Sequence, residues 1–167
     1  MPGVSTLACL LAAVIHEAGH FSGMLLCRAR GKLDFKAGGM EISVKSYKKS
    51  SCKFSIALSG SLFNFITALL IYPLSMKTEF CHSLIFSSIT LGVFNLMPVK
   101  GLDGGEITEI ILEKFLLPDT AYIINKAISF TFILLLWAVS LYLLLVTNDN
   151  LTLFAVSASL FLSNCKE

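Results

Sequence analysis

The sequence predicts an all-α integral membrane protein with four to five transmembrane helices and a small membrane-associated β-hairpin. The mean hydropathy is +0.78 over 167 residues; 55% of the residues are apolar and only 14% are charged. Soluble domains carry about 25% charged residues, so this composition argues against both a soluble globule and a disordered chain. The length is typical of one domain. The basic residues are not interleaved with aromatic ones, and no nucleic-acid partner is predicted.

Four apolar stretches predict the membrane helices. A spanning helix needs about 20 mostly apolar residues, and residues 4–26, 54–74, 80–97 and 123–146 reach or approach that length. A further apolar run over residues 151–162 is shorter than the usual minimum. It is interpreted as a short fifth span, with a half-membrane segment or an interfacial helix as alternatives.

The basic residues predict the orientation of these helices. Eight of them lie between the first two spans, within residues 28–53, whereas the short loop around Lys77 holds one. Because basic loops stay in the cytoplasm, residues 28–53 and 99–122 are expected inside and the N-terminus outside. No charge precedes the first span, so it is predicted to be retained and not cleaved as a signal peptide.

Three ionisable residues, His16, Glu17 and His20, interrupt the first span. A charged group in the bilayer costs at least about 2.5 kcal/mol, which makes such residues functional candidates. His16 and His20 are four residues apart, so both imidazoles project from one helical face and can share a metal ion. The HExxH pattern pairs two zinc ligands with a carboxylate base. The alternative is a metal-free hydrogen-bonded cluster; His82, at the start of the third span, is predicted to be interfacial.

Asp103 is the candidate for a third metal ligand. Catalytic zinc usually has three protein ligands and one open position, and two glycines after Asp103 allow a close backbone approach. Asp103 is equally suited to be the N-cap of a helix over residues 104–117, with Glu106 completing a capping box. Spacing alone leaves both alternatives open, and Glu106 is the next candidate ligand.

Three motifs together resemble those of the site-2 proteases, which are intramembrane zinc metalloproteases. His16-Glu-Ala-Gly-His20 is similar to that family's HExxH, and Asn95-Leu-Met-Pro98 with Leu102-Asp-Gly-Gly105 resembles its NLLP and LDGG segment. Gly60-Ser-Leu-Phe-Asn64 is similar to its G-P-x-x-N motif, with Ser61 in place of the usual proline. The compact chain looks most like the branch that contains the sporulation factor-processing proteases.

The resemblance implies roles for five of the motif residues. One zinc ion per chain would be bound by His16, His20 and Asp103. Glu17 would be the catalytic base, and Asn64 would orient the substrate or stabilise the oxyanion.

The resemblance also implies the kind of reaction. The substrate would be a membrane protein that is cut in or near a transmembrane segment, within the lipid bilayer of a bacterial cell membrane. A regulatory membrane partner is also possible in this family.

The single intramembrane domain, residues 1–167, would have its catalytic core at about 1–117 and C-terminal transmembrane segments at 123–163. Competing interpretations are a small metal-ion transporter or metal-binding membrane protein, and an inactive relative that acts as a binding partner.

A β-hairpin is predicted over residues 33–44. A Gly38-Gly39 turn would place Lys36 opposite Glu41 and collect every apolar side chain on one face. The resemblance implies that such an element lies beside the active site, where a strand edge would accept an unwound substrate. The alternative is a structural loop on the membrane surface.

Overall fold

The protein is largely helical. A computed structural model describes residues 2–28, 32–36, 39–43, 50–74, 78–147 and 151–165. The α-helices in this part of the chain are α1 (Pro2–Leu26), α2 (Ser50–Ile71), α3 (Glu79–Asn95), α4 (Asp103–Leu112), α5 (Pro118–Thr147) and α6 (Leu151–Cys165), and a short 3-10 helix, Tyr72–Leu74, follows α2. The contacts divide the chain into one unit that contains α1 to α3 and another that contains α4 to α6. The division into a catalytic core at 1–117 and C-terminal segments at 123–163 stays a prediction.

The predicted number of membrane helices is wrong. Among the described residues, three helices are long and apolar enough to cross a membrane: Gly3–Leu26, Ser50–Leu74 and Pro118–Val146. Helix α3 has 17 residues and α6 has 15. At 1.5 Å per residue these are about 26 and 22 Å long, shorter than a hydrocarbon core of about 30 Å. Apolar side chains on the long helices are widely exposed, as a lipid-facing surface requires.

The predicted membrane-associated hairpin is also corrected. Two short strands, β1 (Lys32–Lys36) and β2 (Gly39–Ser43), pair in a two-stranded sheet. Gly39, predicted as a turn residue, is already the first residue of β2, so the predicted turn is wrong. The pairing of Lys36 with Glu41 stays a prediction. The predicted one-sided apolar face concerns side chains of the two strands, which lie outside the described residues. The fold class is a helical membrane protein.

Small residues let the helices of the first unit approach closely. Ala8 and Ala12 of α1 form a core with Leu84 of α3. Gly19 and Gly23 face α2, where a β-carbon added to either glycine would lie 2.6 and 2.5 Å from the carbonyl oxygen and the hydroxyl of Ser59, respectively. Backbone approach of this kind is typical of small residues one helical turn apart in membrane helices. It brings the HExxH segment of α1 directly against α2.

In the second unit, α4 and α6 each pack against α5. Helix α4 ends at Leu112, earlier than the predicted 117, and α5 begins at Pro118. A proline disfavours helical backbone in the residue before it, which explains why one continuous helix does not run through this point. Helix α4 is short, and its first residue is Asp103.

Candidate metal centre

His16 and His20 meet on the buried face of α1. Their side chains are 6% and 9% exposed, and their Nε2 atoms are 3.1 Å apart. Two nitrogens at about 2.05 Å from a tetrahedral zinc ion would be about 3.3 Å apart. The two imidazoles therefore already have the separation that a shared zinc ion requires, so the donor pair fits this metal.

The backbone of α2 sets the tautomer of His20. Its Nδ1 lies 2.9 Å from the carbonyl oxygen of Ile56. A carbonyl can only accept, so Nδ1 carries the proton and donates it, and Nε2 keeps its lone pair. Metal-binding histidines generally have such a partner on the other ring nitrogen. Ile56 thus prepares His20 to bind a metal through Nε2.

Asn64 takes the corresponding position behind His16. Its amide lies 3.3 Å from Nδ1 of His16, and the side chain is fully buried. The amide is oriented with Nδ2 towards the ring, which leaves Oδ1 without a hydrogen-bond partner. Rotating the amide by 180° exchanges its donor and acceptor atoms, and would let Oδ1 accept from Nδ1–H of His16 and free Nε2 for a metal. Asn95 of α3 is a further neighbour of His16, since its Nδ2 lies 3.3 Å from Nε2 of His16.

Gly60 allows α2 to lie directly on the two imidazoles. A β-carbon added there would contact Nε2 of His20, and it would lie 2.7 Å from Cε1 of His20 and 2.9 Å from Cε1 of His16. Gly60 and Asn95 were identified from the sequence as motif residues, but no role at the metal centre was predicted for either. The sequence could have indicated that Gly60 lies near the site, since Gly60 and Asn64 are four residues apart and so share a helical face.

Glu17 and His82, the other two predicted residues of the first unit, are accessible. Glu17 is exposed on α1, about 100° around the helix from His16. Its carboxylate is therefore on the accessible side of the helix that carries the histidines. His82 is exposed in the first turn of α3. Of the predicted site residues, the first unit thus contains His16, His20, Glu17 and Asn64.

Asp103 belongs to the second unit, where the N-cap alternative is wrong. The N-cap of α4 is Leu102, and Asp103 is the first helical residue. The tight turn before it is made by Gly101, whose φ of +97° is strained for any side chain. A β-carbon at Gly105 would meet the carbonyl group of Val99. The glycine lets the loop before α4 pack on the helix.

Comparisons with known proteins agree with the motifs. The model of Peptidase family M50 matches residues 75–137, a segment that contains Asn95 and Asp103 and follows the HExxH motif. The solved structure of the site-2 protease from Methanocaldococcus jannaschii is similar over 98% of this chain and 77% of that chain, with 23% identity and a TM-score of 0.73. No curated protein sequence matches the chain. The predicted resemblance to site-2 proteases is confirmed, and at this identity the structural match shows a shared fold.

Proposed function

We propose that this protein is a zinc-dependent intramembrane endopeptidase that hydrolyses a peptide bond in or near a transmembrane segment of a membrane protein. The observation that carries the proposal is the buried pair of Nε2 atoms, 3.1 Å apart, on a helix apolar enough to cross a membrane. Burying two imidazoles costs free energy unless their nitrogen atoms have a hydrogen-bond partner or a metal ion. The M50 match and the site-2 protease fold support a protease.

His16, His20 and Asp103 would hold one zinc ion per chain. Two neutral imidazole nitrogens and one carboxylate oxygen are a common donor set for catalytic zinc, and they leave a fourth position open. Asp103 lies within the segment that matches the M50 family, and it is not used as an N-cap. The motifs propose all three residues. The ring geometry supports the two histidines, and the N-cap position of Leu102 leaves Asp103 as the ligand candidate.

The chain's own residues supply the proton transfers. When bound, zinc lowers the pKa of a water molecule towards about 7 and polarises the scissile carbonyl. Glu17 accepts a proton from the attacking water and delivers it to the leaving amine. With its amide rotated by 180°, Asn64 would accept from Nδ1–H of His16 through Oδ1, and its Nδ2 would then be the donor to the substrate or to the oxyanion.

The substrate would reach this site inside the bilayer. A transmembrane helix hides its carbonyl groups in i to i+4 hydrogen bonds, so the segment that is cut must unwind locally before its carbonyl can be attacked. The positive-inside rule supports a cytoplasmic location for residues 28–53 and an outside N-terminus. A bacterial cell membrane is proposed from the family branch that the motifs resemble.

Two variants of the purified full-length protein test the proposal. Glu17→Gln should keep zinc and lose at least about 100-fold in turnover, since it removes the general base and leaves the ligands. Asp103→Ala should bind zinc more weakly because one ligand is lost. Glu113→Gln, the same chemical change as Glu17→Gln at an exposed position beyond α4, is the control and should behave as wild type.

Zinc content and cleavage are measured together. Wild-type cleavage by Glu17→Gln would show that Glu17 is not the base. If the wild type shows no proteolysis and Glu17→Gln changes the flux of zinc into vesicles, the result would instead support a metal-ion transporter. In cells, the membrane protein that accumulates uncut when Glu17→Gln is expressed would identify the substrate.

A further inference from the structure

A cluster of polar side chains on α5 and α6 holds the loop that leads to Asp103. The backbone N–H of Lys100 donates to Oγ of Ser129 at 2.9 Å. The carbonyl of the same residue accepts from Nδ2 of Asn164 at 3.2 Å. Both backbone groups of Lys100 are therefore bound by side chains, one from each of the two helices.

The contacts continue on both sides of Lys100. The hydroxyl of Ser129 also reaches the carbonyl oxygen of Pro98 at 3.4 Å. Nδ2 of Asn125, one turn earlier on α5, lies 3.2 Å from the carbonyl oxygen of Gly105. Side chains of α5 thus bind the backbone before and after Asp103. Each end of the segment that carries the carboxylate is attached to the same helix.

These polar residues lie in an apolar environment. Ser129 is fully buried and Asn125 is 1% exposed, and both belong to a helix that is long and apolar enough to cross a membrane. A buried hydroxyl or amide is destabilising unless it is hydrogen-bonded. Here the hydrogen bonds go mainly to the backbone of the segment around Asp103.

The loop needs such anchoring because of its own composition. Gly101 lies between Lys100 and Asp103 and has a φ of +97°. Glycine is the residue whose backbone is least restricted, so the direction of the chain after it is weakly determined by local structure. Fixing Lys100 in front of the glycine and Gly105 behind it restricts where the carboxylate of Asp103 can be.

We propose that Ser129 and Asn164 are positioning residues that fix Lys100 and so orient Asp103 as a metal ligand. The inference rests on the proposed function, because it takes Asp103 to bind zinc. Neither residue is assigned a contact with the metal or the substrate. Residues that orient a metal ligand typically change metal affinity by about 10- to 100-fold when they are removed.

The test measures zinc affinity of the full-length protein in detergent, by competition with a chromophoric chelator, alongside kcat and KM on an extended test peptide. Ser129→Ala and Asn164→Ala should each weaken zinc binding about 10-fold and lower kcat more than they raise KM. Ser129→Thr keeps a hydroxyl at this position and should restore most of the affinity. If Ser129→Ala does not fold, Asn164→Ala tests the proposal by the same changes in zinc affinity, kcat and KM.

Ser140→Ala is the matched control. Ser140 is also fully buried on α5, and its hydroxyl lies 3.5 Å from that of Ser157 on α6, away from the loop. The same change there should leave zinc affinity at the wild-type value even if it lowers thermal stability. Equal zinc loss in Ser140→Ala would show a general effect of helix packing and overturn the proposal.

Asp103→Ala separates the failure of this inference from that of the proposed function. If it weakens zinc binding while Ser129→Ala and Asn164→Ala do not, the positioning role is wrong and the ligand assignment stands. If Asp103→Ala binds zinc as wild type does, the ligand assignment itself is wrong. The positioning role is then overturned with it.

Discussion

Gly60→Ala is expected to damage the metal centre more than it damages the fold. The added β-carbon would lie 2.7 Å from Cε1 of His20 and 2.9 Å from Cε1 of His16. Relaxed carbon atoms are about 3.5 to 4.0 Å apart. The rings or the helix must therefore move by at least about 0.6 to 0.8 Å, the difference between these distances and the lower limit of about 3.5 Å.

A shift of this size is small for the fold and large for a zinc site. Overpacking of this kind costs about 1 to 3 kcal/mol, partly offset by the gain of about 1 kcal/mol when alanine replaces glycine in a helix. Metal–nitrogen distances, in contrast, vary by only about 0.2 Å around 2.0 to 2.1 Å. We expect at least about a 10-fold loss of zinc affinity, by analogy with other changes that misplace a ligand, and a larger loss of turnover.

Gly92→Ala is the matched control for this prediction. It makes the same substitution in α3, where the three atoms nearest to the added β-carbon all belong to the ring of Phe65, the first of them 2.8 Å away. Zinc affinity is measured by chelator competition, and the fold by thermal unfolding of the detergent-solubilised protein. Wild-type zinc affinity in Gly60→Ala, or an equal loss in both variants, would refute the reasoning that α2 holds the imidazoles in place.

Two further predictions concern Asn64 and the topology. Asn64→Ala should lower zinc affinity by about 10- to 100-fold because His16 loses the partner on Nδ1. Asn64→Asp keeps an acceptor and should lose less affinity. Equal zinc affinities of Asn64→Ala and wild type, measured by chelator competition, would contradict this. Single cysteines at Ser46 and Thr78, in a chain whose native cysteines are replaced, should react with an impermeant maleimide from the cytoplasmic side and the outer side, respectively. The reverse labelling pattern would overturn the orientation.

The sequence alone determined the membrane class and the histidine pair. Both depend on local patterns, namely the length of an apolar run and the i to i+4 spacing of His16 and His20 on one rigid helix. Helix geometry alone brings the two imidazoles near each other, and the structure agrees. The resemblance to site-2 proteases came from short motifs for the same reason, because each motif occupies a few consecutive residues.

The tertiary structure decided which groups surround those motifs. Residues distant in sequence supply these groups, namely the carbonyl oxygen of Ile56, the glycine without a β-carbon at Gly60 and the hydroxyl of Ser129 that contacts the loop. Local periodicity does not encode which helix faces approach each other. It likewise decided that Leu102 and not Asp103 caps α4, and that three described helices are long enough to cross a membrane. Local spacing left the role of Asp103 open and predicted too many membrane helices, because both depend on where an element begins and ends, which sequence patterns define poorly.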